Sequence, residues 1–403
     1  MIKKNINVIK IRNLIMIINL LLFDNILIPN IFSKIFYALF LLLSLFIILS
    51  EPINLSTGYR LCLLCYCVFA IFSTLLSEFF SVSTLLSVFQ FVLWTLFIAL
   101  FNKEDIEYVL RNYLNILSVI ICIAVVYSFT LKKFGAMTYL DGGYVNYIFN
   151  IRIKQFAMGM KGDLGYAAFY SNTNIFAFLL LITATWNLCK TKFRLTVKNI
   201  IFYFLMILGL VLADSRAGFF CMILNIILVI FFKGRKELKM FYISAALLIA
   251  IVYGFIISSG TIKNLELDLT GRESMWNSML EVFKTHKVFG IGFANSTKYV
   301  LENVGSHNSY LNILVENGIV GLSIFIIMIF CVLKSIFENQ KKIRESKLLL
   351  FSTIIFIMYL PYAFFENAFM IFETRNSIWL LISLLMVEEN KKFICNDRKL
   401  CEV

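Results

Sequence analysis

Long runs of apolar residues, each close to the length of a membrane-spanning helix, dominate this chain of 403 residues. A helix needs about 20 apolar residues to cross the hydrocarbon core of a bilayer. The runs occupy residues 11–28, 35–49, 61–76, 82–100, 114–131, 167–186, 200–213, 217–232, 240–257, 319–337, 348–365 and 369–387. A membrane β-barrel would instead show segments of about 10 residues with alternating polarity. The pattern therefore predicts an all-α polytopic integral membrane protein with about 12 transmembrane helices.

Composition excludes the main soluble classes. Hydrophobic residues make up 60% of the chain and charged residues 15%, whereas soluble domains average about 45–50% and about 25%. These values exclude an ordinary soluble globular protein and a disordered chain. No internal repeat or low-complexity linker divides the sequence, so we expect a single membrane domain covering residues 1–403.

The formal net charge of +13 could indicate an anionic partner such as nucleic acid, but the positions of the basic residues favour another interpretation. With the amino terminus in the cytoplasm, 23 of the 37 Lys and Arg residues fall in cytoplasmic segments, as the positive-inside rule expects. The sequence thus predicts that both termini are cytoplasmic, and no nucleic-acid partner is expected. The first apolar run resembles a secretory signal, but no small-residue cleavage site follows it, so we expect a retained helix.

The cysteines predict neither a disulfide framework nor a metal site. None of the nine falls in a predicted outer loop, where an oxidising compartment would favour disulfides. Cys62 and Cys65 have the spacing of half a metal site, but they lie within a predicted span with no His or carboxylate close by in sequence. Packing inside the membrane is the better interpretation of this pair.

Two predicted outer segments are much longer than the other connections, which makes them the functional candidates. They cover residues 132–166 and residues 258–318, the second lying between the ninth and tenth spans. A reaction on that side of the membrane has no access to ATP or nucleotide sugars. The sequence also contains no Gly-x-x-x-x-Gly-Lys phosphate loop.

The larger loop, residues 258–318, contains both histidines of the protein, His286 and His307. Apolar residues at helical spacing after Gly271-Arg272 predict an amphipathic helix that lies on the outer membrane surface. Gly290-Ile291-Gly292 predicts a turn, and His307-Asn308 precedes the tenth span. A further polar cluster, Asp214-Ser215-Arg216-Ala217-Gly218, separates the seventh and eighth spans and places Arg216 at the outer face.

The ordered set of motifs resembles one family of membrane enzymes. His307-Asn308, followed by Gly318 and then Gly321, is similar to the His-[Asn/Ser/Gln]-x9-Gly-x2-[Gly/Thr/Tyr] pattern of the O-antigen ligase and polymerase superfamily. The Ser215-Arg216-Ala217-Gly218 hairpin, the Gly271-Arg272 loop start and the Gly290-x-Gly292 turn occur in the same order as in that family. The resemblance covers residues 164–387, and within it the loop of residues 258–318 is expected to be catalytic.

The resemblance implies a donor in which a glycan is attached to undecaprenyl diphosphate, and it implies no metal and no cofactor. Arg216 and Arg272 would stabilise the lipid diphosphate leaving group, and His307 would accept the proton of the attacking sugar hydroxyl. Each residue also has a simpler structural interpretation. Arg216 could reach lipid headgroups, Arg272 could pair with Glu273 or Asp268, and His307 could cap the tenth helix.

Four further residues are candidates for substrate binding. Arg375 in the last span needs a partner or a polar environment, and Glu366 or Asp24 could pair with it, whereas Glu373 is expected on another helix face. Asp214 could orient Arg216 or only satisfy its turn. Asn308 belongs to the histidine motif, and Arg152 lies among tyrosines of the smaller outer loop that could stack on sugars or anchor the interface.

We therefore predict a metal-independent bacterial glycosyltransferase of the inner membrane that acts at its extracytoplasmic face. The preferred activity is an O-antigen or capsule polymerase that joins undecaprenyl-diphosphate-linked repeat units. The main alternative is an O-antigen ligase that transfers glycan to lipid A-core, and the distant alternative is a transporter or flippase of lipid-linked glycan. Expected partners are the lipid-linked donor, a glycan or lipid A-core acceptor and the bilayer, with a chain-length regulator and a flippase as further candidates.

Overall fold

The computed structural model describes most of the chain. The described residues are 6–22, 30–51, 57–134, 138–140, 143–148, 151–155, 157–158, 165–170, 172–191, 196–233, 272–296, 307–371 and 373–398. The predicted span at residues 240–257 lies outside them, as does Asp24.

Helices account for most of the described residues. They are α1 (Ile6–Leu22), α2 (Asn30–Ser50), α3 (Gly58–Leu75), α4 (Val82–Ala99), α5 (Lys103–Phe134), α6 (Thr173–Thr191), α7 (Val197–Ala213), α8 (Arg216–Lys233), α9 (Arg272–Thr285), α10 (Ser309–Glu338), α11 (Gln340–Glu345), α12 (Lys347–Tyr362) and α13 (Thr374–Arg398). Several helix starts differ from the sequence prediction. Helix α5 begins eleven residues before the predicted start of its span, and α6 begins six residues after the predicted start of its own. Helix α10 begins ten residues before the predicted start of the tenth span, and α13 begins five residues after the predicted start of the last one.

Five of the described helices are long and apolar enough to cross a membrane: Gly58–Leu75, Val82–Ala99, Lys103–Thr130, Thr173–Thr191 and Ser309–Glu338. Shorter apolar helices occupy Leu39–Ser50, Val197–Ala213, Ala217–Phe232 and Lys347–Tyr362. This confirms a multi-pass helical membrane protein, while the number of twelve spans stays a prediction.

The smaller outer segment forms strands, which the sequence analysis did not predict. Strands β1 (Thr138–Leu140), β2 (Gly143–Ile148) and β3 (Ile151–Gln155) make an antiparallel sheet, and β4 (Ala157–Met158) pairs with β5 (Gly165–Tyr166). In this sheet Tyr147 lies opposite Arg152. The segment has the β-branched and aromatic residues that suit short strands, a signal that the count of apolar runs does not use.

Large apolar side chains are exposed along several helices, which is the pattern of a surface that faces lipid and not water. On α10 the exposed set is spaced by one to two helical turns and includes Ile319, Ile326, Ile327, Phe330 and Phe337. The opposite side of the same helix is buried against α3 and α13.

Charged residues assigned to the cytoplasmic side meet at one end of the helical bundle. Arg12 is fully buried and pairs with both Glu51 and Asp105, each at 2.5 Å. Arg60 pairs with Glu388 at 3.0 Å. The first two pairs join α1 to the end of α2 and the start of α5, and the third joins the start of α3 to α13, as the alternation of inner and outer connections predicts.

Helix α10 is broken at Gly318, whose backbone has φ 62° and ψ −168°. The break removes backbone hydrogen bonds of the helix, and hydrogen bonds to the segment that follows α9 take their place. The amides of Ile291 and Gly292 donate to the carbonyls of Val315 and Glu316, both at 2.9 Å, and the amide of Ile319 donates to the carbonyl of Lys287 at 2.9 Å. Unpaired backbone groups within a membrane cost several kcal/mol each. The break in α10 and the turn at residues 290–292 therefore stabilise each other.

Glycine is required at this junction because two backbones approach closely. A Cβ atom on Gly318 would lie 2.2 Å from the carbonyl oxygen of Val288, and one on Gly290 would lie 2.4 Å from that of Glu316. Both glycines have positive φ, which other residues adopt at a cost. The glycine positions of the sequence motif thus have a structural explanation that is independent of substrate.

Candidate functional site

His307 lies immediately before α10 in a left-handed backbone conformation, with φ 50°. The residue that caps the helix is Asn308, whose buried side-chain oxygen accepts a hydrogen bond from the amide of Leu311 at 3.1 Å. Helix capping is therefore the role of Asn308 and not of His307. A non-glycine residue held at positive φ is uncommon, and such positions concentrate at functional sites.

Glu366 is the centre of the site, and it is almost fully buried at 3% exposure. Its Oε2 atom lies 3.4 Å from Nδ1 of His307 and 3.5 Å from a terminal nitrogen of Arg375. Its Oε1 atom accepts a hydrogen bond from Nδ2 of Asn174 at 2.6 Å and lies 3.9 Å from a terminal nitrogen of Arg272. One carboxylate thus joins side chains from four separate parts of the chain.

The turn after α12 holds Glu366 against the start of α10. The Oγ atom of Ser309 donates to the carbonyl of Glu366 at 2.8 Å and accepts from the amide of Ala368 at 2.7 Å. The amide of Ser309 donates to the carbonyl of Ala363 at 2.8 Å. Because Ser309 is two residues from His307, these bonds fix the distance between the histidine and the carboxylate.

Arg272 is the first residue of α9, and its guanidinium donates to the carbonyl of Phe365 at 3.2 Å. Its side chain is 23% exposed, so it is open to an anion from outside the protein. The neighbouring Glu273 side chain and Asp268 lie outside the described residues.

Helix α9 is amphipathic, as the sequence predicts, but its apolar face packs on protein. Met279 lies in a buried cluster with Ile291, Leu311 and Val315, so this face covers the first turns of α10. The other apolar residues of this face are only partly buried, and Leu280 is 41% exposed. The prediction that the helix lies on the outer membrane surface therefore stays a prediction. The packing brings Arg272 towards the turn that carries Glu366.

Arg375 is buried and forms its main ion pair with Glu373 through both its Nε atom, at 3.0 Å, and a terminal nitrogen, at 2.5 Å. The expectation that Glu373 faces away was wrong because α13 begins at Thr374. Glu373 precedes the helix, so the rule for helix faces does not apply to it. The expected pair with Glu366 is present as the second, longer contact.

The hairpin between α7 and α8 is connected to the site through Ser215. Its Oγ atom donates to Oδ1 of Asn174 at 3.3 Å and accepts from the amide of Gly218 at 3.2 Å. Asn174 in turn bonds to Glu366. Arg216 is the first residue of α8, and its side chain lies outside the described residues, so the structure gives its backbone position alone.

Asp214 ends α7 in a left-handed conformation, with φ 50° and ψ 42°. Asp tolerates this conformation better than most residues, which accounts for its place in the turn. Arg152 lies in β3, and its side chain is also outside the described residues. Among the described side chains, that of Asp214 makes no contact with Glu366.

The arrangement combines a histidine, a buried carboxylate and arginines at one end of the bundle. With Nδ1 of His307 facing Glu366, Nε2 is the ring nitrogen that can accept a proton from a substrate. The carboxylate can hold the ring in this orientation and stabilise the imidazolium that forms. Sequence reasoning treated Glu366 only as a possible partner of Arg375, although an acidic residue at the outer end of a predicted span was a usable signal.

The fold and this site define a multi-pass helical membrane protein with a histidine, carboxylate and arginine cluster at one end of its bundle. Residues 201–326 match the family model described as O-Antigen ligase, and this segment contains Arg216, Arg272, His307 and Gly318. This segment is similar to the O-antigen ligase family, and the predicted resemblance of its motifs to the O-antigen ligase and polymerase superfamily is confirmed. No curated protein matches the chain.

Proposed function

We propose that this protein is a polysaccharide polymerase that joins undecaprenyl-diphosphate-linked repeat units at the extracytoplasmic face of the bacterial inner membrane. The observation that supports this most directly is the contact between His307 and Glu366, beside Arg272. The family match supports glycosyl transfer from a lipid-linked glycan.

In the proposed reaction, a hydroxyl oxygen of the acceptor sugar attacks the anomeric carbon of the donor. The bond between that carbon and the diphosphate oxygen breaks, and the diphosphate leaves with the electron pair. The hydroxyl proton moves to Nε2 of His307, and Glu366 stabilises the resulting imidazolium. The imidazolium then gives this proton to water or to the released diphosphate before the following cycle.

Arginine side chains would balance the charge that develops on the leaving diphosphate. A guanidinium presents two parallel donors that match phosphate oxygens and is charged at all working pH values. Arg272 suits this role because its side chain is partly exposed, and Glu366, its nearest carboxylate among the described side chains, is 3.9 Å away. Arg216 is the second candidate, since its neighbour Ser215 is bonded to Asn174 within the site. In this proposal the two arginines do the work that a metal ion does in other phosphate chemistry.

Arg375 has a different role in the proposal. Its guanidinium is occupied by Glu373 and lies close to Glu366, so it holds the acidic groups in place and does not bind diphosphate directly. Asn308 likewise acts through the start of α10, which it caps. Asp214 and Arg152 stay candidates for contact with the glycan.

The alternative is an O-antigen ligase, the activity for which the matching family is named. A ligase uses the same lipid-linked donor and therefore the same histidine and arginines, but its acceptor is lipid A-core. Glycan banding in a deletion strain separates the two activities. Core that carries a single repeat unit identifies a polymerase, whereas bare core together with long lipid-linked polymer identifies a ligase.

A transporter or flippase of lipid-linked glycan is the distant alternative. Transporters commonly place ionisable residues at the bilayer midplane, whereas the described site lies where α6, α10 and α13 begin and α12 ends. Reconstituted protein with lipid-linked glycan and no ATP distinguishes these cases. Formation of a new glycosidic bond supports the enzyme, and movement of the lipid without bond formation contradicts it.

A further inference from the structure

A polar cavity of about 390 Å³ opens among α5, the end of α6 and the junction of α11 with α12. Three of its lining side chains are cationic and one is anionic, and the remainder include an indole and an amide. The charged members are Arg111, Lys190, Lys347 and Glu345. The lining therefore has an excess of two positive charges.

Neutral groups hold part of this lining in place. Asn115 accepts at Oδ1 from Nε1 of Trp186 at 3.2 Å and lies 3.5 Å from Nζ of Lys190. An amide oxygen orients the Lys190 ammonium without neutralising it. Arg111 contacts Glu107 at 3.2 Å, one helical turn away, but is 58% exposed, and a pair in that setting contributes little.

The cavity is separate from the site around Glu366. Asn174 and Lys190 lie near opposite ends of α6, sixteen residues apart, which corresponds to about 24 Å along a helix. Leu348 and Tyr362 occupy the two ends of α12, and Tyr362 donates to the carbonyl of Asn174 at 3.2 Å. The cavity is thus at the end of the bundle that the positive-inside rule assigns to the cytoplasm.

We infer that this cavity binds a phosphate group, as carried by the headgroup of an anionic phospholipid. The three cations supply the charge, and α12 begins at the cavity, where the partial positive charge of a helix N-terminus favours an anion. Trp186 and Leu348 supply an apolar edge, and Trp is a common residue at the depth of lipid headgroups. Basic pockets between helices on this side of a membrane suit anionic headgroups.

The test uses the full-length purified protein and measures lipid retained by native mass spectrometry. Wild-type protein is expected to retain phosphatidylglycerol in preference to phosphatidylcholine. The double variant Lys190→Gln with Lys347→Gln should bind it about 25-fold more weakly, at about fivefold for each lysine. Glu345→Gln should bind about fivefold more tightly, because it removes the anionic member of the lining. An increase in affinity of this kind does not arise from misfolding.

The matched control is Lys198→Gln with Lys341→Gln, which removes the same charge from exposed positions outside the cavity. This control should retain lipid as the wild type does. A second arm measures thermal protection by inorganic phosphate in the absence of added lipid. If thermal protection by phosphate is lost in the Lys190 and Lys347 variant, the cavity binds free phosphate. If selective retention of phosphatidylglycerol is lost in that variant, the cavity binds the lipid headgroup. If neither response changes in that variant, or if the control changes equally, the inference is wrong.

Discussion

Nδ1 of His307 lies 3.4 Å from Oε2 of Glu366, a carboxylate 59 residues further along the chain. The histidine precedes α10 and the carboxylate follows α12, and Ser309 binds the two segments together. This relationship gives the histidine of the family motif a partner that the motif does not include. The ring is oriented by protein before any substrate arrives, which is what proton transfer at a fixed position requires.

Glu366→Gln should lower kcat by about tenfold or more. The loss should stay smaller than the contribution of a general base itself, which is about 10²–10⁴-fold. The amide has the same shape but does not stabilise an imidazolium. The measurement is the rate of glycosyl transfer by reconstituted protein over a range of donor concentrations and pH values. A change in the pH profile is expected, and Glu366→Asp should restore part of the rate. An unchanged profile would assign Glu366 to folding alone.

Arg272→Lys should lower kcat/KM for the lipid-linked donor by about tenfold to 100-fold. The substitution keeps the charge but loses the paired donors that match a diphosphate, and a hydrogen bond to a charged group contributes about 1.5–3 kcal/mol. Arg344→Lys, at an exposed position at the end of α11, is the matched control and should be indistinguishable from wild type. Normal donor kinetics in Arg272→Lys would leave Arg272 with only its contacts to Phe365 and Glu366.

Arg375→Gln should act through stability. It leaves Glu373 and Glu366 without their shared cation, and removal of one partner of a buried ion pair costs about 3–5 kcal/mol. Thermal unfolding of purified protein provides the measurement. The double variant Arg375→Gln with Glu373→Gln should recover most of the loss, because the uncompensated carboxylate of Glu373 is then absent. A stable but inactive Arg375→Gln protein would indicate that Arg375 binds substrate.

Gly318→Ala should destabilise the junction between α10 and residues 287–292 by more than about 1 kcal/mol, since both the positive φ and the close carbonyl of Val288 oppose a side chain. Gly58→Ala, where a Cβ would meet no atom within 4 Å, should be neutral. Unfolding temperatures of the two variants make the comparison. Equal behaviour of both would show that the broken helix tolerates a side chain.

The sequence predicted the helical membrane class and most helix positions because apolar runs of spanning length leave few other structures. It also placed His307, Arg272 and the hairpin that contains Ser215 on the outer side of the membrane. The contacts of these residues through Glu366 and Asn174 agree with that placement. Besides the strands of the smaller outer segment, three features were not predicted. Glu366 belongs to no motif, the pair of Glu373 with Arg375 depends on the exact start of α13, and the replacement bonds at Gly318 depend on a distant segment.

The central claim is that His307 accepts the proton of the attacking hydroxyl, and glycosyl transfer by purified, reconstituted protein tests it most directly. Wild-type protein with lipid-diphosphate-linked glycan and no ATP should form new glycosidic bonds, and His307→Ala should lose about 10²–10⁴-fold in rate while remaining folded in the membrane. His286→Ala is the matched control, because its ring contacts Thr285 and Val282 at the end of α9, and it should keep wild-type activity. Undiminished bond formation by His307→Ala would contradict the account.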